Sequence, residues 1–413
     1  MSEPSPPDLH RVVVVGASLA GLRCAEALRR EGYAGALTLL GDEPHRPYDR
    51  PPLSKELLAG EMGAADVALP GRDELDAEWV LGDAAVALDL ERRVVATAAG
   101  RELPYDGLVI ATGSAPRRLA AFDVALPNVH ELRTLDDALA LRAELTRPAG
   151  EPPARLLIVG CGFIGVEVAS TARALGAEVT IASLDPPLAI AGEPVSQAAR
   201  AMLVEHGVRL LIGRTVAETV AGDRFEAAML DDGTRVEADV VVVAIGAAPA
   251  TGWLEGSGLQ LDDGVVCDAA LAAVGAERVV AAGDVARWPN PLFGGLAMRV
   301  EHWTNAVEAG AAAARTLLRG SGPETAYRAV PSVWSDHFGV RLQTVGLPAL
   351  ADRIEVVEGS VEERRFCAVA TRAGRLIGAV AYAMPKALVR YRIRLARGAY
   401  LEQPAGTASG AAA

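Results

Sequence analysis

RVVVVGASLAGLRCAEALRR, Arg11 to Arg30, and RLLIVGCGFIGVEVASTARALG, Arg155 to Gly176, are the two stretches that decide the fold. Each places a β-branched apolar run, a glycine-spaced turn and an Ala-rich helical pattern in the order a dinucleotide fingerprint requires. In such a turn the first glycine makes the tight bend, the second lets backbone approach a pyrophosphate, and the third lets helix pack on strand. Gly160, Gly162 and Gly165 meet all three demands. Gly16 and Gly21 meet two, with Ser18 in the middle place, so a small hydroxyl must be tolerated beside the phosphates. One such turn also reads as an ordinary strand-to-helix connection, whereas two in one chain imply two dinucleotides and electron transfer between them.

At 413 residues the chain is long enough for two or three hydrophobic cores. The formal charge of -13 argues against a nucleic-acid surface over the whole molecule. Cys24, Cys161, Cys267 and Cys367 are far apart without a CxxC, which suggests neither a disulfide framework nor a zinc site. His10, His45, His130, His206, His302 and His337 show no ligand spacing, so no metal is expected. The polar start MSEPSPPDLHR has no signal-like pattern and no apolar run approaches membrane-spanning length, so a cytoplasmic setting without membrane is expected.

Outward from the first turn, ALTLLGDE at Ala36 to Glu43 reads as a strand ending in acids, where Asp42 or Glu43 should hold an adenosine ribose. Pro44 to Ser54 reads as a loop, with Ser54 a candidate cap for a helix that begins near Lys55. LPYDGLVIATGSAPR, Leu103 to Arg117, reads as a buried strand running into a turn. The Pro/Gly-rich Arg147 to Pro153 leads into a second nucleotide unit that includes DVVVVAIGAAP, Asp239 to Pro249, and so looks inserted. RVVAAGDVARW, Arg278 to Trp288, suits a return to the first sheet. From about Ala326 the pattern changes to short alternating strands with a hairpin turn at Ala373 and Gly374. The expected division is 1-120 and 248-325 for the first nucleotide domain, 121-247 for the second, 326-402 for a C-terminal domain, and a disordered tail over 403-413.

Eight motifs in one order resemble the FAD-dependent, NADH-oxidising ferredoxin reductases that serve oxygenases, the putidaredoxin reductase type. They are the GxSxAG turn, PYDRPPLSK at Pro47 to Lys55, YDGLVIATGSAPR, LRTLDDA at Leu132 to Ala138, GCGFIGVEVA, AAGDVA, RVEHWTNA at Arg299 to Ala306, and VWSDHFGVRLQTVG at Val333 to Gly346. The resemblance implies an α/β, glutathione-reductase-like fold, with two Rossmann-type dinucleotide-binding domains and a C-terminal α+β domain that covers the flavin. It implies FAD contacts from Gly16, Ser18, Ala20, Gly21, Asp42 or Glu43, Arg50, Lys55, Ala85, Arg133, Asp284 and Trp303, with Asp284 on the ribityl chain. Lys55 and Glu167 become the pair at flavin N5, although spacing alone reads them equally as a surface lysine and an exposed helix glutamate. Trp334 becomes a ring over the flavin edge, with Val333 where the family often has another aromatic; a core tryptophan is the plainer reading.

For the nicotinamide coenzyme, Gly160, Gly162 and Gly165 would take the pyrophosphate, and Gly246 is a further candidate contact. The strand AEVTIASLDPPL should end in an acid for the ribose, yet Ser183 stands there; Asp185 could substitute. No Arg or Lys lies between Ser183 and Ala199 to take a 2′-phosphate, so NADH is favoured over NADPH. NADH gives two electrons as hydride and an iron-sulfur ferredoxin takes one at a time, a mismatch FAD resolves. An acidic ferredoxin needs a basic landing site, and KALVRYRIRLARG offers Lys386, Arg390, Arg394 and Arg397. On a helix Arg390, Arg394 and Arg397 would share a face, and a merely solvated face is the alternative. The partner expected is therefore such a ferredoxin and, through it, an oxygenase. Rubredoxin and monodehydroascorbate reductases differ only in acceptor, and a flavin-bound redox-responsive interaction protein of the apoptosis-inducing-factor type is the reading from another class. A disulfide reductase needs a cysteine between Pro47 and Lys55, where none occurs.

Overall fold

Four consecutive valines make Arg11–Val15 a strand buried on both faces, the signature of a parallel sheet covered by helices. The computed structural model describes residues 9–71, 74–148 and 150–400, and the expected tail over 403-413 lies outside them. The chain divides into two compact units. The first comprises Met1–Asp49, Ala68–Ala115 and Ala248–Ser332; the second comprises Arg50–Val67, Pro116–Ala247 and Val333–Ala413.

In the first unit five strands lie in the order Val279–Ala281, Gly107–Ile110, Arg11–Val15, Ala36–Gly41 and Glu78–Leu81, all parallel. The Val279–Ala281 strand supplies the expected return, pairing Val280 with Val109 across the whole of the intervening second nucleotide unit. The helix Leu19–Arg30 follows the first turn and packs along Trp303–Arg319. Gly310 permits that approach, because a Cβ there would sit 2.5 Å from the Ala20 carbonyl oxygen.

The second unit repeats the plan. Arg209–Ile212, Glu178–Ser183, Arg155–Val159, Val240–Val243 and Val129–His130 form a parallel sheet in that order. The helix Phe163–Ala174 follows the second turn, and Glu193–Glu205 leads into Arg209–Ile212. This unit also holds a C-terminal sheet in the order Ser332–His337, Val340–Gly346, Arg375–Tyr382, Arg365–Arg372 and Arg353–Ser360, followed by the helix Val389–Ala396. Its last three strands pair antiparallel, and Phe366, Ala368, Val380 and Tyr382 join the same core as Leu156, Ile158 and Val166.

The hairpin expected at Ala373 and Gly374 is present, with φ of 49° and 74° at the two residues. Two positive φ values in succession are the type I′ geometry, which Asn-Gly fits better than Ala-Gly. Ala373→Asn is therefore expected to stabilise the second unit by about 0.5–1 kcal/mol, measured as a higher denaturant midpoint at unchanged slope. A lower midpoint would contradict the turn assignment.

Candidate active site

At the first turn Gly16 has φ of +113°, and a Cβ on it would lie 2.1 Å from the Ala111 carbonyl oxygen. A Cβ on Gly21 would lie 2.0 Å from the Gly16 carbonyl oxygen, so strand, turn and helix close only around these two hydrogens. Ser18 takes the N-cap position of Leu19–Arg30 without a side-chain capping bond, and no acid occupies the first helical turn. Uncapped amides at a positive helix end are a cradle for an anion. Ala20 lies in that first turn, and a Cβ on Gly283 would sit 2.9 Å from its Cβ, which brings the Gly283–Val285 turn and Asp284 beside it. Ser114 Oγ donates to Asp284 Oδ2 at 2.9 Å, fixing the carboxylate.

Asp42 and Glu43 follow directly on the strand Ala36–Gly41. Asp42 is exposed, whereas Glu43 accepts a short hydrogen bond from the Tyr48 hydroxyl. Ala85 starts the strand Ala85–Asp89, and the Trp303 indole N–H donates to Asp49 Oδ1 at 2.6 Å. A glycine cradle, an uncapped helix start, acids at the neighbouring strand end and a fixed Asp284 together fit the adenosine, pyrophosphate and ribityl parts of FAD.

The second turn has the same construction in the second unit. Gly160 has φ of +103° with its Cβ direction 2.3 Å from the Ala244 carbonyl oxygen, and Gly165 is as close to the Gly160 carbonyl oxygen. Gly162 differs: nothing lies within 4 Å of an added Cβ, and its φ of -79° is ordinary. Space kept clear over another uncapped helix start fits a second pyrophosphate. Ser183 ends its strand, buried, and exposed Asp185 lies two residues on. Gly246 sits at φ +97°, its carbonyl accepting from Arg117 N–H at 2.9 Å. Sequence reasoning missed Arg214. It arrives from beyond Arg209–Ile212, its N–H donating to the Ser183 carbonyl at 3.2 Å, while its guanidinium pairs with Asp232 at 2.8 Å.

A buried polar cluster of this unit lies around Glu167. Pro51–Ser54 forms a 3-10 turn, and Lys55 links it to the short helix Glu56–Ala59. Lys55 Nζ lies 2.8 Å from Glu167 Oε2, with the two side chains 14% and 5% exposed. The exposed-glutamate reading is thereby overturned. The expectation that Ser54 caps a helix is also corrected: its hydroxyl donates to Glu167 Oε2 at 2.5 Å, and its carbonyl accepts from Thr171 Oγ1 at 2.8 Å. Ser335, also missed, donates to Glu167 Oε1 at 2.7 Å. Three donors on one carboxylate hold it in a single orientation. Arg50 Nη1 donates to the Arg133 carbonyl at 2.5 Å, while Arg133 N–H reaches Asp137 in the capping box with Thr134. Trp334 stands half-buried in the strand Ser332–His337, and by strand alternation projects opposite to Ser335.

The basic run divides between elements. Lys386 lies in the turn Pro385–Leu388, Arg390 and Arg394 share a face of Val389–Ala396, and Arg397 follows the helix. All four are exposed. Arg390 pairs with Glu358 at 2.9 Å, so an acid absent from the run itself offsets part of its charge. All four cysteines are free and buried, with desolvation pushing Cys24, Cys161 and Cys267 up to about 12. Thiols so protonated are poor nucleophiles, which removes disulfide exchange from the site's chemistry. Among the described residues no group of three or more His, Cys, Asp or Glu could hold a metal ion, and no helix is long and apolar enough to cross a membrane.

A family model described as pyridine nucleotide-disulphide oxidoreductase matches residues 10–310, and one described as reductase C-terminal matches 332–408. The chain is 35% identical to the rhodocoxin reductase of Rhodococcus erythropolis over 91% of this chain and 87% of that protein. It is 39% identical to the biphenyl dioxygenase system ferredoxin–NAD(+) reductase component of Paraburkholderia xenovorans, over 82% of this chain and 81% of that one. Among solved structures, the covalent putidaredoxin reductase–putidaredoxin complex matches with a TM-score of 0.87 at 31% identity, covering 94% of this chain and 93% of that chain.

Proposed function

The chain belongs to the pyridine nucleotide-disulphide oxidoreductase family, and on that premise we propose that it takes hydride from NADH and delivers single electrons to a ferredoxin serving an oxygenase. Relatives named as ferredoxin–NAD(+) reductases of benzene, biphenyl and p-cumate dioxygenase systems support this reading. The observation that carries it is the pair of uncapped glycine turns, one in each unit, in a chain whose cysteines are all buried and free. When bound, FAD would accept a hydride and release its electrons singly. The chain's residues bind and orient. Gly16, Ser18, Ala20 and Gly21 would receive the FAD pyrophosphate on backbone N–H groups, Glu43 or Asp42 the ribose, and Asp284 the ribityl hydroxyls.

Following the family resemblance, Lys55 would serve the flavin as a fixed cation oriented by Glu167, and Arg50, Arg133, Ala85, Trp303 and Trp334 would be further contacts to the cofactor. No side chain acts as a nucleophile. Gly160, Gly162, Gly165 and Gly246 would receive NADH, with Asp185 on its adenosine ribose in place of the acid that Ser183 lacks. Asp185→Ala should then raise KM for NADH about tenfold at unchanged kcat, the worth of one hydrogen bond to a charged group. An unchanged KM would remove Asp185 from the site.

The partner reading gives the basic residues a role in docking an acidic iron-sulfur ferredoxin. Because Arg390 is partly offset by Glu358, Arg394 and Arg397 carry the unshared charge. Reversing both to Glu should slow ferredoxin reduction about tenfold at low salt, with the gap closing as salt shortens the screening length. Reduction of a small neutral acceptor should be unaffected. Equal ferredoxin rates at low salt would place docking elsewhere.

A further inference from the structure

Behind Glu167 a line of buried polar groups leads away from Lys55. Ser335 Oγ, which donates to Glu167 Oε1 at 2.7 Å, lies 3.4 Å from His337 Nδ1. His337 Nε2 lies 3.3 Å from the Tyr382 hydroxyl, which also has Met202 Sδ within donating reach at 3.8 Å. Ser335, His337 and Tyr382 are 0%, 2% and 0% exposed, so bulk solvent does not reach these contacts. Two strands that flank Val340–Gly346 in the C-terminal sheet and a helix supply the members, and the step from Ser335 to Glu167 spans 168 residues.

The proton inventory sets the direction of this line. A carboxylate paired with lysine only accepts, so the single Ser335 hydroxyl proton goes to Glu167. Ser335 Oγ can then only accept from His337, which requires the proton on Nδ1. A neutral imidazole has one N–H, so Nε2 is left bare, and at 3.3 Å it is a stronger acceptor for the single Tyr382 hydroxyl proton than the Met202 thioether at 3.8 Å. Burial pushes the His337 imidazole down to about 4, with Asp336 opposing and Lys55 reinforcing, so it stays neutral. The charged and titratable groups facing the line are Lys55, Glu167, Asp336 and, toward Tyr382, Arg364.

We propose that Tyr382, His337 and Ser335 form an oriented hydrogen-bond chain whose donors all point toward Glu167, making Ser335 and His337 positioning residues that hold this carboxylate against Lys55. Hydrogen bonds aligned head to tail polarise one another, so the chain sharpens the last link although its two inner links are long. The catalytic part of this inference rests on the reading of Lys55 and Glu167 as the pair at the flavin; the proton direction does not.

The test labels the six histidines of the FAD-loaded protein with ¹⁵N and assigns His337 by the signal lost in His337→Phe. The expected tautomer is Nδ1–H. Ser335→Ala, which removes the acceptor, should turn it to Nε2–H. The same variant should lower the limiting rate of flavin reduction about tenfold at unchanged NADH dissociation constant. Ser335→Thr, which keeps the hydroxyl, should restore both. Nε2–H in the unaltered protein overturns the proposal, and this readout needs no variant beyond the assignment. A Ser335→Ala protein that reduces its flavin at the original rate overturns the positioning role. Should Glu167→Gln also reduce at the original rate, the ion-pair reading itself has failed, while the His337 tautomer still decides the chain.

Discussion

Replacing Lys55 by methionine is expected to slow flavin reduction by NADH about 10²-fold, the usual loss when one preorganised electrostatic group is removed. The same change should destabilise the second unit by about 3 kcal/mol, because it strands a carboxylate that is only 5% exposed. The Ser54 and Ser335 hydroxyls still donate to Glu167, which keeps the loss at the low end of what breaking a buried pair produces. Glu167→Gln gives a useful asymmetry. The lysine left behind is the more exposed partner, at 14%, and the amide oxygen still accepts from it. Its stability loss should be the smaller of the two, while its rate loss should be similar. Stopped-flow reduction together with denaturant unfolding of both variants separates these effects. Original rates in Lys55→Met at full flavin content would remove the pair from the chemistry.

Gly162→Asp is expected to abolish reduction by NADH without harming the fold, an outcome few loss-of-function changes share. The position has φ of -79° and open space around its Cβ direction, so the side chain is accommodated. Aspartate is also a preferred N-cap, and the helix Phe163–Ala174 has no side-chain cap now, so stability should rise by about 0.5–1 kcal/mol. The carboxylate would stand where a pyrophosphate needs bare amides, and NADH affinity should fall at least about 100-fold through repulsion and lost donors. Ser18→Asp is the counterpart in the first unit, where the N-cap side chain likewise makes no capping bond. It should leave the protein folded but release FAD during purification. Flavin absorbance and NADH titration then report the two turns independently. If Gly162→Asp loses flavin and Ser18→Asp keeps it, the assignment of coenzymes to turns is reversed.

The parts of this molecule legible in the sequence are those encoded by local period. The apolar runs Val12 to Val15 before Gly16 and Leu156 to Val159 before Gly160 mark covered parallel strands, and their turn glycines are required by backbone approaches of 2.1 and 2.3 Å. The Ala373 and Gly374 hairpin is equally local. What stayed hidden are pairings across long separations, which leave no periodic trace. Ser54 looks like a helix cap because serine before a helical run usually is one, yet its hydroxyl goes to Glu167, 113 residues away. Ser335 and His337 read as ordinary alternating strand positions until the fold brings Glu167 against them. Arg214 escaped because a scan forward from Ser183 follows the chain, whereas the sheet places the next strand's end beside it. Likewise Glu358 offsets Arg390 from a strand that the basic run does not contain.

The central claim is electron flow from NADH to a one-electron acceptor through a bound flavin. Anaerobic stopped-flow mixing of the FAD-loaded protein with NADH, and then with an oxidised 2Fe-2S ferredoxin, tests it most directly. The account predicts flavin bleaching on the first mix, and on the second its recovery with two ferredoxins reduced per NADH consumed. Flavin that stays oxidised with NADH, or that bleaches and then passes electrons to none of a panel of ferredoxins, would contradict it.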